Sequence, residues 1–210
     1  MKIITMNLGE LDTSCYIVVS DSGNAAVIDP ADNAEHILDV LGKNSLTLKL
    51  ILLTHGHFDH TGAAAELKEQ TGAKVYIHKA DECMLDDRQK NVSYLLPGFD
   101  YKSFAADVTV DEGDTVTLDE ITFTVIHTPG HTAGSIMFTA DNAIFSGDTI
   151  FEGSVGRTDF YSGSPAQQRQ SLQRIMNMDG DFDIYPGHGG KTTLSAEKRH
   201  NPYLLYLDRL

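Results

Sequence analysis

The sequence has 210 residues, 41% hydrophobic and 22% charged, a balance typical of a soluble globular protein with a sizeable core. Lysine and arginine number 16 against 30 aspartates and glutamates, which leaves a net charge of −14. This acidity argues against nucleic acid and anionic membranes as partners, since both bind basic surfaces. The sequence shows neither a signal peptide nor an apolar run of about 20 residues, so we expect a cytoplasmic protein without a membrane span.

The chain has no linker, repeat or low-complexity tract, and we therefore expect one domain over residues 1–210. Its two cysteines, Cys15 and Cys83, are far apart and match no metal or redox spacing. We expect both thiols to be reduced and packed.

The first half of the chain reads as strands mixed with helices. Strands are predicted at KIITMNL, CYIVV and AAVID, and a helix is predicted to begin at Asp32 with Glu35 in its first turn. LKLILL has the pattern of a buried strand and leads directly into THGHFDH. The following segment, TGAAAELKEQTG, predicts a helix closed by Gly72, then a strand at KVYIHK and a short helical stretch near DECML.

Residues 85–105 have no clear period, and their position between predicted elements places them near the mouth of an active site, where they would shape a pocket. The second half is mainly β, with strands predicted at DVTV, DTVTL, ITFTVIHT, SIMFTA, NAIFSGD and FDIYPGH. Pro165 is expected to be the first residue of a helix, SPAQQRQSLQRIM, and SAEKRHNPYLLYL to form a terminal helix. The mixture predicts an α/β layered architecture.

Metal-ligand side chains recur where these predicted strands end. Four strand-like runs pass into glycine-containing loops that together carry five histidines and two carboxylates: His55, His57, Asp59, His60, His131, Asp148 and His188. Loops at strand ends gather functional side chains in layered α/β proteins. The other histidines stand outside this pattern, and we expect structural or surface roles for His36, His78, His127 and His200.

Buried titratable groups at this density need a partner, and a metal is the natural one. Imidazole and carboxylate ligands suit zinc, with iron or manganese as alternatives, whereas a cysteine-type structural zinc site is excluded. Seven ligands are too many for one tetrahedral ion but suit two ions that share a carboxylate. We assign His55, His57 and His131 to the first ion, and Asp59, His60 and His188 to the second, with Asp148 as the bridge.

The motifs THGHFDH, TPGHTAGS, SGDTIF and PGHG follow one another between residues 54 and 190, and in that order they resemble the metallo-β-lactamase superfamily. The resemblance covers nearly the whole chain. It implies a four-layer αβ/βα sandwich of two sheets, with a metal centre at one edge. Position 148 is aspartate, as in the hydrolase branches of the family, rather than the cysteine of true zinc β-lactamases.

The segment GSVGRTDF, residues 153–160, is similar to the glyoxalase II-like and persulfide dioxygenase branch, and the ending EKRHNPYL resembles short single-domain glyoxalase II-like hydrolases. The resemblance implies a small-molecule substrate, a glutathione or other thiol conjugate. Typical glyoxalase II grips glutathione with a C-terminal helical domain, for which we expect no counterpart in the 22 residues after His188, so the use of glutathione stays open. The sequence also leaves open the acyl group, the thiol carrier and the oligomeric state.

The implied chemistry is hydrolysis of a thioester or ester by a hydroxide that bridges two ions. Asp59 is expected to bind metal and orient the hydroxide. Arg157 is expected either to face an anionic part of the substrate or to form a salt bridge with the nearby Asp159.

Three other functions compete with this interpretation. A mononuclear iron persulfide dioxygenase could use most of the same ligands. A nuclease of the same superfamily is disfavoured by the acidic charge, and a non-catalytic metal-binding protein by a ligand set that leaves an open bridging position.

Overall fold

The structure, a computed structural model, describes residues 1–207. The first half of the chain forms strands β1–β6 and helices α1–α3, in the order β1 (Lys2–Leu8), β2 (Thr13–Val19), β3 (Asn24–Ile28), α1 (Ala34–Lys43), β4 (Thr47–Leu52), α2 (Phe58–Thr61), α3 (Ala64–Thr71), β5 (Lys74–His78) and β6 (Val108–Val110). Between β5 and β6 lie two short 3₁₀ turns, Glu82–Met84 and Ser93–Leu95.

The second half adds β7 (Thr115–Leu118), β8 (Ile121–His127), β9 (Ile136–Ala140), β10 (Ala143–Gly147), α4 (Pro165–Met176), β11 (Asp183–Pro186), β12 (Thr192–Thr193), α5 (Leu194–His200) and α6 (Pro202–Leu205). The prediction of one domain over residues 1–210 reaches residues 208–210, which lie outside the described residues. No helix within residues 1–207 is long and apolar enough to cross a bilayer.

The strands form two six-stranded sheets. The first keeps the chain order β1 to β6, with antiparallel pairs from β1 to β3 and parallel pairs from β3 to β6. The second has the order β12, β11, β10, β9, β8, β7, in which β10 and β11 are parallel and the other neighbours antiparallel. Both sheets are therefore mixed, and each has parallel strands whose carboxyl ends can carry a site.

The end of β4 lies between two apolar layers, which explains the unbroken apolar run LILL at residues 50–53, whereas Lys49 before it is exposed. Leu50 and Leu52 face the layer between the sheets, whereas Ile51 and Leu53 face the layer under the helices. Side chains alternate between the faces of a strand, so a strand covered on both faces is apolar throughout.

Three apolar clusters separate four layers. The central one joins both sheets through buried side chains such as Ile28 of β3 and Phe123, Phe138 and Phe145 of the second sheet. A second packs α1 and α3 on the first sheet, and a third packs α4, α5 and α6 on the second. The predicted four-layer sandwich of helices, sheet, sheet and helices is confirmed.

Helix ends follow the sequence signals in part. Pro165 opens α4 behind the N-cap Ser164, and Gly72 closes α3 with a φ of 72°, both as predicted. The start of α1 differs, because Asn33 rather than Asp32 is the N-cap and accepts a hydrogen bond from the backbone N–H of His36.

The prediction of one terminal helix is wrong, because α5 and α6 are separate helices. Asn201 lies between them with extended backbone (φ −70°, ψ 116°), and Pro202 begins α6. A residue before proline is driven out of the helical region, which breaks the run at Asn201. A second difference concerns the thiols, both of which are free: Cys15 is buried in β2, but Cys83 is exposed and not packed as expected.

Candidate metal centre

Four loops meet at one end of the two sheets, and they follow β4, β8, β10 and β11. Backbone hydrogen bonds fix them to one another: Ile136 N–H donates to Thr54 O at 2.9 Å and Gly187 N–H to Gly147 O at 2.8 Å. Ser14 of the first sheet donates its N–H to Gly187 O at 2.7 Å. Side chains from distant parts of the sequence are thereby brought to one place.

The structure gathers all seven predicted ligands in this place, in the two groups assigned from the sequence. Ligand atoms of His55, His57 and His131 lie within 4.8 Å of one another. Those of Asp59, His60 and His188 also lie within 4.8 Å of one another. His55, His60 and Asp148 form a third such group, which shares His55 with the first and His60 with the second.

Asp148 stands between the two groups. Its Oδ1 lies 3.3 Å from His60 Nε2, and its Oδ2 lies 3.4 Å from His131 Nε2. His188 Nε2 is 3.7 Å from Asp148 Oδ2 and 3.4 Å from Asp59 Oδ2. Oδ1 of Asp148 thus lies near the second group and Oδ2 lies near members of both groups, so this carboxylate is placed where a bridging ligand is needed.

The residues present fit a metal, because several of their ligand atoms are buried without any partner. The Nε2 atoms of His55, His57 and His60 and the Oδ1 atom of Asp148 have no hydrogen-bond partner among residues 1–207. Buried polar atoms are nearly always satisfied, so four such atoms within one cluster indicate an external group. Histidine and carboxylate donors are the set expected for a divalent cation.

The protonation states of the histidines in this cluster also suit the binding of cations. Burial, followed by the neighbouring charge of His131, lowers the pKa of His57 to about 3, and burial and His60 lower the pKa of His55. Both imidazoles are therefore neutral and can donate lone pairs. At His60 burial also lowers the pKa, but the negative charges of Asp148, Asp59 and Asp29 outweigh burial and raise it. These carboxylates therefore make the surroundings of His60 attractive to a positive charge.

The glycine at 187 is required by the closeness of this packing. A Cβ there would lie 2.2 Å from Asp148 Oδ1 and 2.6 Å from His60 Cε1. Gly147 has a φ of 47°, and a Cβ there would lie 2.2 Å from Thr54 Oγ1. Glycine at each of these two positions thus has a direct steric reason, because any larger residue would collide with the neighbouring side chain.

Asp29 supports the cluster from behind, and the sequence analysis did not single it out. Its carboxylate accepts from the N–H of Thr54 at 2.8 Å and from Thr54 Oγ1 at 2.6 Å, and lies 2.9 Å from His60 Nδ1. The signal was available, since Asp29 is the last residue of the predicted strand AAVID, at the same sheet end as the ligand loops.

A second buried carboxylate, Asp81, joins two ligand loops. It accepts hydrogen bonds from Gly56 N–H at 3.1 Å, Gly134 N–H at 2.7 Å and Thr132 Oγ1 at 2.6 Å. The loop that carries His55 is thereby tied to the loop that carries His131. No local pattern marks Asp81, because its partners lie 25 to 53 residues away.

A cleft of about 440 Å³ opens over the cluster. His57, Asp59, His131, Asp148 and His188 line its floor. Val92, Leu95 and Leu96 line its wall, which agrees with the expectation that residues 85–105 shape the pocket.

Arg157 also lines the cleft, and it forms the salt bridge that was one of its two expected roles. Its Nε lies 2.6 Å from Asp159 Oδ1 and its Nη2 lies 2.7 Å from Asp159 Oδ2. The backbone oxygen of Arg157 lies 2.6 Å from His131 Nδ1, so this residue also fixes a predicted ligand.

The remaining histidines lie outside the cluster, as expected. The rings of His78 and His127 stack at 4.1 Å, with Asp111 Oδ1 3.3 Å from His78 Nε2. His36 and His200 are exposed.

Comparison with known proteins places these features in a family. The family model of the metallo-beta-lactamase superfamily matches residues 8–188. The hydroxyacylglutathione hydrolase GloC of Haemophilus influenzae is 35% identical over 97% of this chain and 98% of its own.

Three solved structures resemble this chain over nearly its whole length. The BLEG-1 B3 metallo-beta-lactamase matches 97% of this chain and 99% of its own, with a TM-score of 0.91 and 33% identity. Di-iron-bound TTHA1623 matches 95% and 99%, with a TM-score of 0.85 and 34% identity. ETHE1 from Myxococcus xanthus matches 97% and 84%, with a TM-score of 0.80 and 30% identity. The family match, together with these likenesses along almost the whole chain, shows that the protein belongs to the metallo-beta-lactamase superfamily.

Proposed function

We propose that this protein is a metal-dependent hydrolase that cleaves thioesters or esters at the floor of the cleft. The observation that carries the proposal is the pair of three-ligand groups with Asp148 between them, open to a pocket on one side. Membership of a superfamily made up mostly of hydrolases supports the reaction class. The name of the GloC relative supports thioesters.

In this proposal His55, His57 and His131 would hold one ion, Asp59, His60 and His188 would hold the other, and Asp148 would supply a ligand to each. Zinc is the first candidate from the ligand chemistry, and the di-iron form of TTHA1623 supports iron as an alternative. When bound, such ions generate a nucleophile from water at neutral pH and polarise the carbonyl group that it attacks.

The chain's own groups are suited to the rest of the reaction. Among the described residues that line the cleft none is serine, threonine or cysteine, which supports water rather than a side chain as the nucleophile. Asp59 faces the cleft with Oδ2 3.3 Å from Thr13 Oγ1, and this carboxylate can hold the attacking water and take up its proton. One water is consumed: its oxygen joins the acyl carbon, the C–S or C–O bond breaks, and the thiol or alcohol leaves with a proton.

A second candidate is a mononuclear iron persulfide dioxygenase, which the likeness to ETHE1 favours. The hydrolase is preferred because the second group, Asp59, His60 and His188, is as closely gathered as the first. A mononuclear enzyme would leave several of those groups without a role.

The test is metal analysis of protein purified without a nickel column, followed by assays of the loaded enzyme with simple thioesters and, in an oxygen electrode, with glutathione persulfide. Two ions per chain with thioester turnover and no oxygen uptake are expected. One iron per chain with oxygen uptake would replace the hydrolase by the dioxygenase. Failure to bind metal after reconstitution would contradict both.

A further inference from the structure

The wall of the cleft is apolar. Val92 and Leu96 pack with Phe58 and Phe160 in one cluster beside the proposed metal ligands. Leu11, on the loop between β1 and β2, also lines the cleft. Leu11 and Leu95 are 52% and 51% exposed. Exposed apolar side chains at the mouth of a polar-floored pocket are typical of a site whose ligand covers them.

The positive charge in this cleft already has a partner. Among the described residues that line the cleft, Arg157 is the only lysine or arginine. Its guanidinium forms two hydrogen bonds with Asp159 and lies 4.0 Å from the centre of the Phe160 ring. The hydrogen bond with Arg157 lowers the pKa of Asp159 to about 2, so the pair is fully charged at neutral pH.

Two lysines close in sequence to residues that line the cleft, Lys90 and Lys191, are also paired with carboxylates. Lys90 Nζ lies 3.3 Å from Asp87 Oδ2, and Lys191 Nζ lies 2.9 Å from Asp183 Oδ2. The net charge of −14 on the chain repels an anionic substrate, which finds no lysine or arginine without a partner among the described residues that line the cleft.

We propose that the cleft takes thioesters or esters whose acyl group is apolar and whose thiol or alcohol part carries no negative charge, and that Asp159 sets this preference by occupying Arg157. The inference rests on the proposed hydrolase for the reaction but concerns which molecules the cleft binds. It predicts that glutathione, with two carboxylates, is a poor carrier. Asp159 acts through Arg157 and does not itself touch the reacting atoms.

Two matched pairs of ligands test this on zinc-loaded protein. The thioethers S-hexyl-N-acetylcysteamine and S-hexylglutathione carry the same chain and cannot be hydrolysed, so calorimetry measures binding alone. The neutral compound is expected to bind about three- to tenfold more tightly. The thioesters S-hexanoyl-N-acetylcysteamine and S-hexanoylglutathione should show the same order in kcat/KM. Equal or tighter binding of S-hexylglutathione would overturn the inference.

Asp159→Asn then tests the residue. Freeing Arg157 should tighten S-hexylglutathione binding and lower KM for S-hexanoylglutathione by about two- to fivefold, with kcat and the neutral ligands unchanged. Added salt should reduce the gain, because the new attraction is exposed to solvent. The control is Asp39→Asn on α1, which removes the same charge. The side chains of Asp39 and Asp159 are both 64% exposed, and each is paired with a cation, Lys43 for Asp39 and Arg157 for Asp159.

The outcomes separate the two proposals. If Asp159→Asn changes both ligands of a pair alike, or behaves as Asp39→Asn does, Asp159 does not set the preference. If neither thioester is hydrolysed while the thioethers keep their order, the proposed reaction is wrong and the inference about the cleft stands.

Discussion

The ring nitrogens that face away from the cluster are held by the chain itself. Nδ1 of His60 lies 2.9 Å from Asp29 Oδ2, Nδ1 of His131 lies 2.6 Å from Arg157 O, and Nδ1 of His188 lies 3.1 Å from Leu11 O. An oxygen in that position accepts from Nδ1–H and leaves the lone pair on Nε2. Three imidazoles are therefore oriented as ligands before any ion arrives.

Asp29→Asn should change which ring nitrogen of His60 carries the proton. The two oxygens of Asp29 accept from three groups, and an asparagine that keeps the bond from Thr54 N–H must turn its NH₂ toward His60 Nδ1. The proton would then move to Nε2, which cannot bind metal. We expect one ion per chain to bind about 10- to 100-fold more weakly, as measured by competition with a chromogenic chelator.

The control for this substitution is Asp21→Asn, an exposed aspartate on the turn between β2 and β3. It should leave both affinities unchanged. Two ions bound by Asp29→Asn with wild-type affinity would show that Asp29 does not set the tautomer of His60.

His57→Ala tests the ligand assignment directly. Removing a buried imidazole from the first group should lower the metal content below two ions per chain. It should reduce thioester hydrolysis by more than about a hundredfold, since even partners of ligands contribute 10- to 100-fold. Elemental analysis and a thiol-release assay measure the two effects. His36→Ala, which removes an exposed histidine on α1, should match the wild type, whereas full metal and activity in His57→Ala would show the assignment to be wrong.

At the scale of elements, the sequence predicted what is local and missed what is not. THGHFDH follows a strand within a few residues, and β4 and its loop were therefore predictable from adjacent side chains. Asp81 supports the same loop from 25 residues away, and residues 85–105 are organised by tertiary contacts such as that of Phe58 N–H with Asn91 O at 3.0 Å. No period or turn signal records a contact of that kind.

The break between α5 and α6 is a second such case, and it serves the site. Asn201 is fully buried, and its Nδ2 lies 3.0 Å from Ser154 O and 3.3 Å from Phe151 O, in the loop that follows Asp148. Asn201 thereby joins the C-terminal helices to the wall of the cleft, where the centres of the Phe151 and His188 rings lie 5.9 Å apart.

Asn201→Ala should therefore loosen that loop. It removes the hydrogen bonds that Nδ2 donates to Phe151 O, Ser154 O and the buried Glu197 Oε2, and we expect a loss of about 1–3 kcal/mol in the free energy of unfolding, measured by urea denaturation. Weaker metal binding should accompany it, since the loop begins at Asp148. The neighbouring exposed His200→Ala is the control. Wild-type stability in Asn201→Ala would mean that water replaces the amide without cost.

For the whole molecule, the layered fold and the position of the site follow from one pattern. Ligands from β4 belong to the first sheet, and those following β8, β10 and β11 belong to the second. The order of the motifs along the chain was enough to identify the family and so the four layers. Periodicity alone could not pair the strands, because it records which face is buried and not which strand is the neighbour.

Because both sheets supply ligands, metal should stabilise the entire chain and not only its loops. An ion that binds only the folded chain, at a free concentration 100 times its Kd, adds about 2.7 kcal/mol to the free energy of unfolding. For a chain of this size that corresponds to a rise in Tm of about 5–10 °C. Calorimetry of zinc-loaded and EDTA-treated protein should show this difference, and His57→Ala should show less than half of it. Equal Tm values with and without zinc would mean that the seven side chains converge without a metal to hold them.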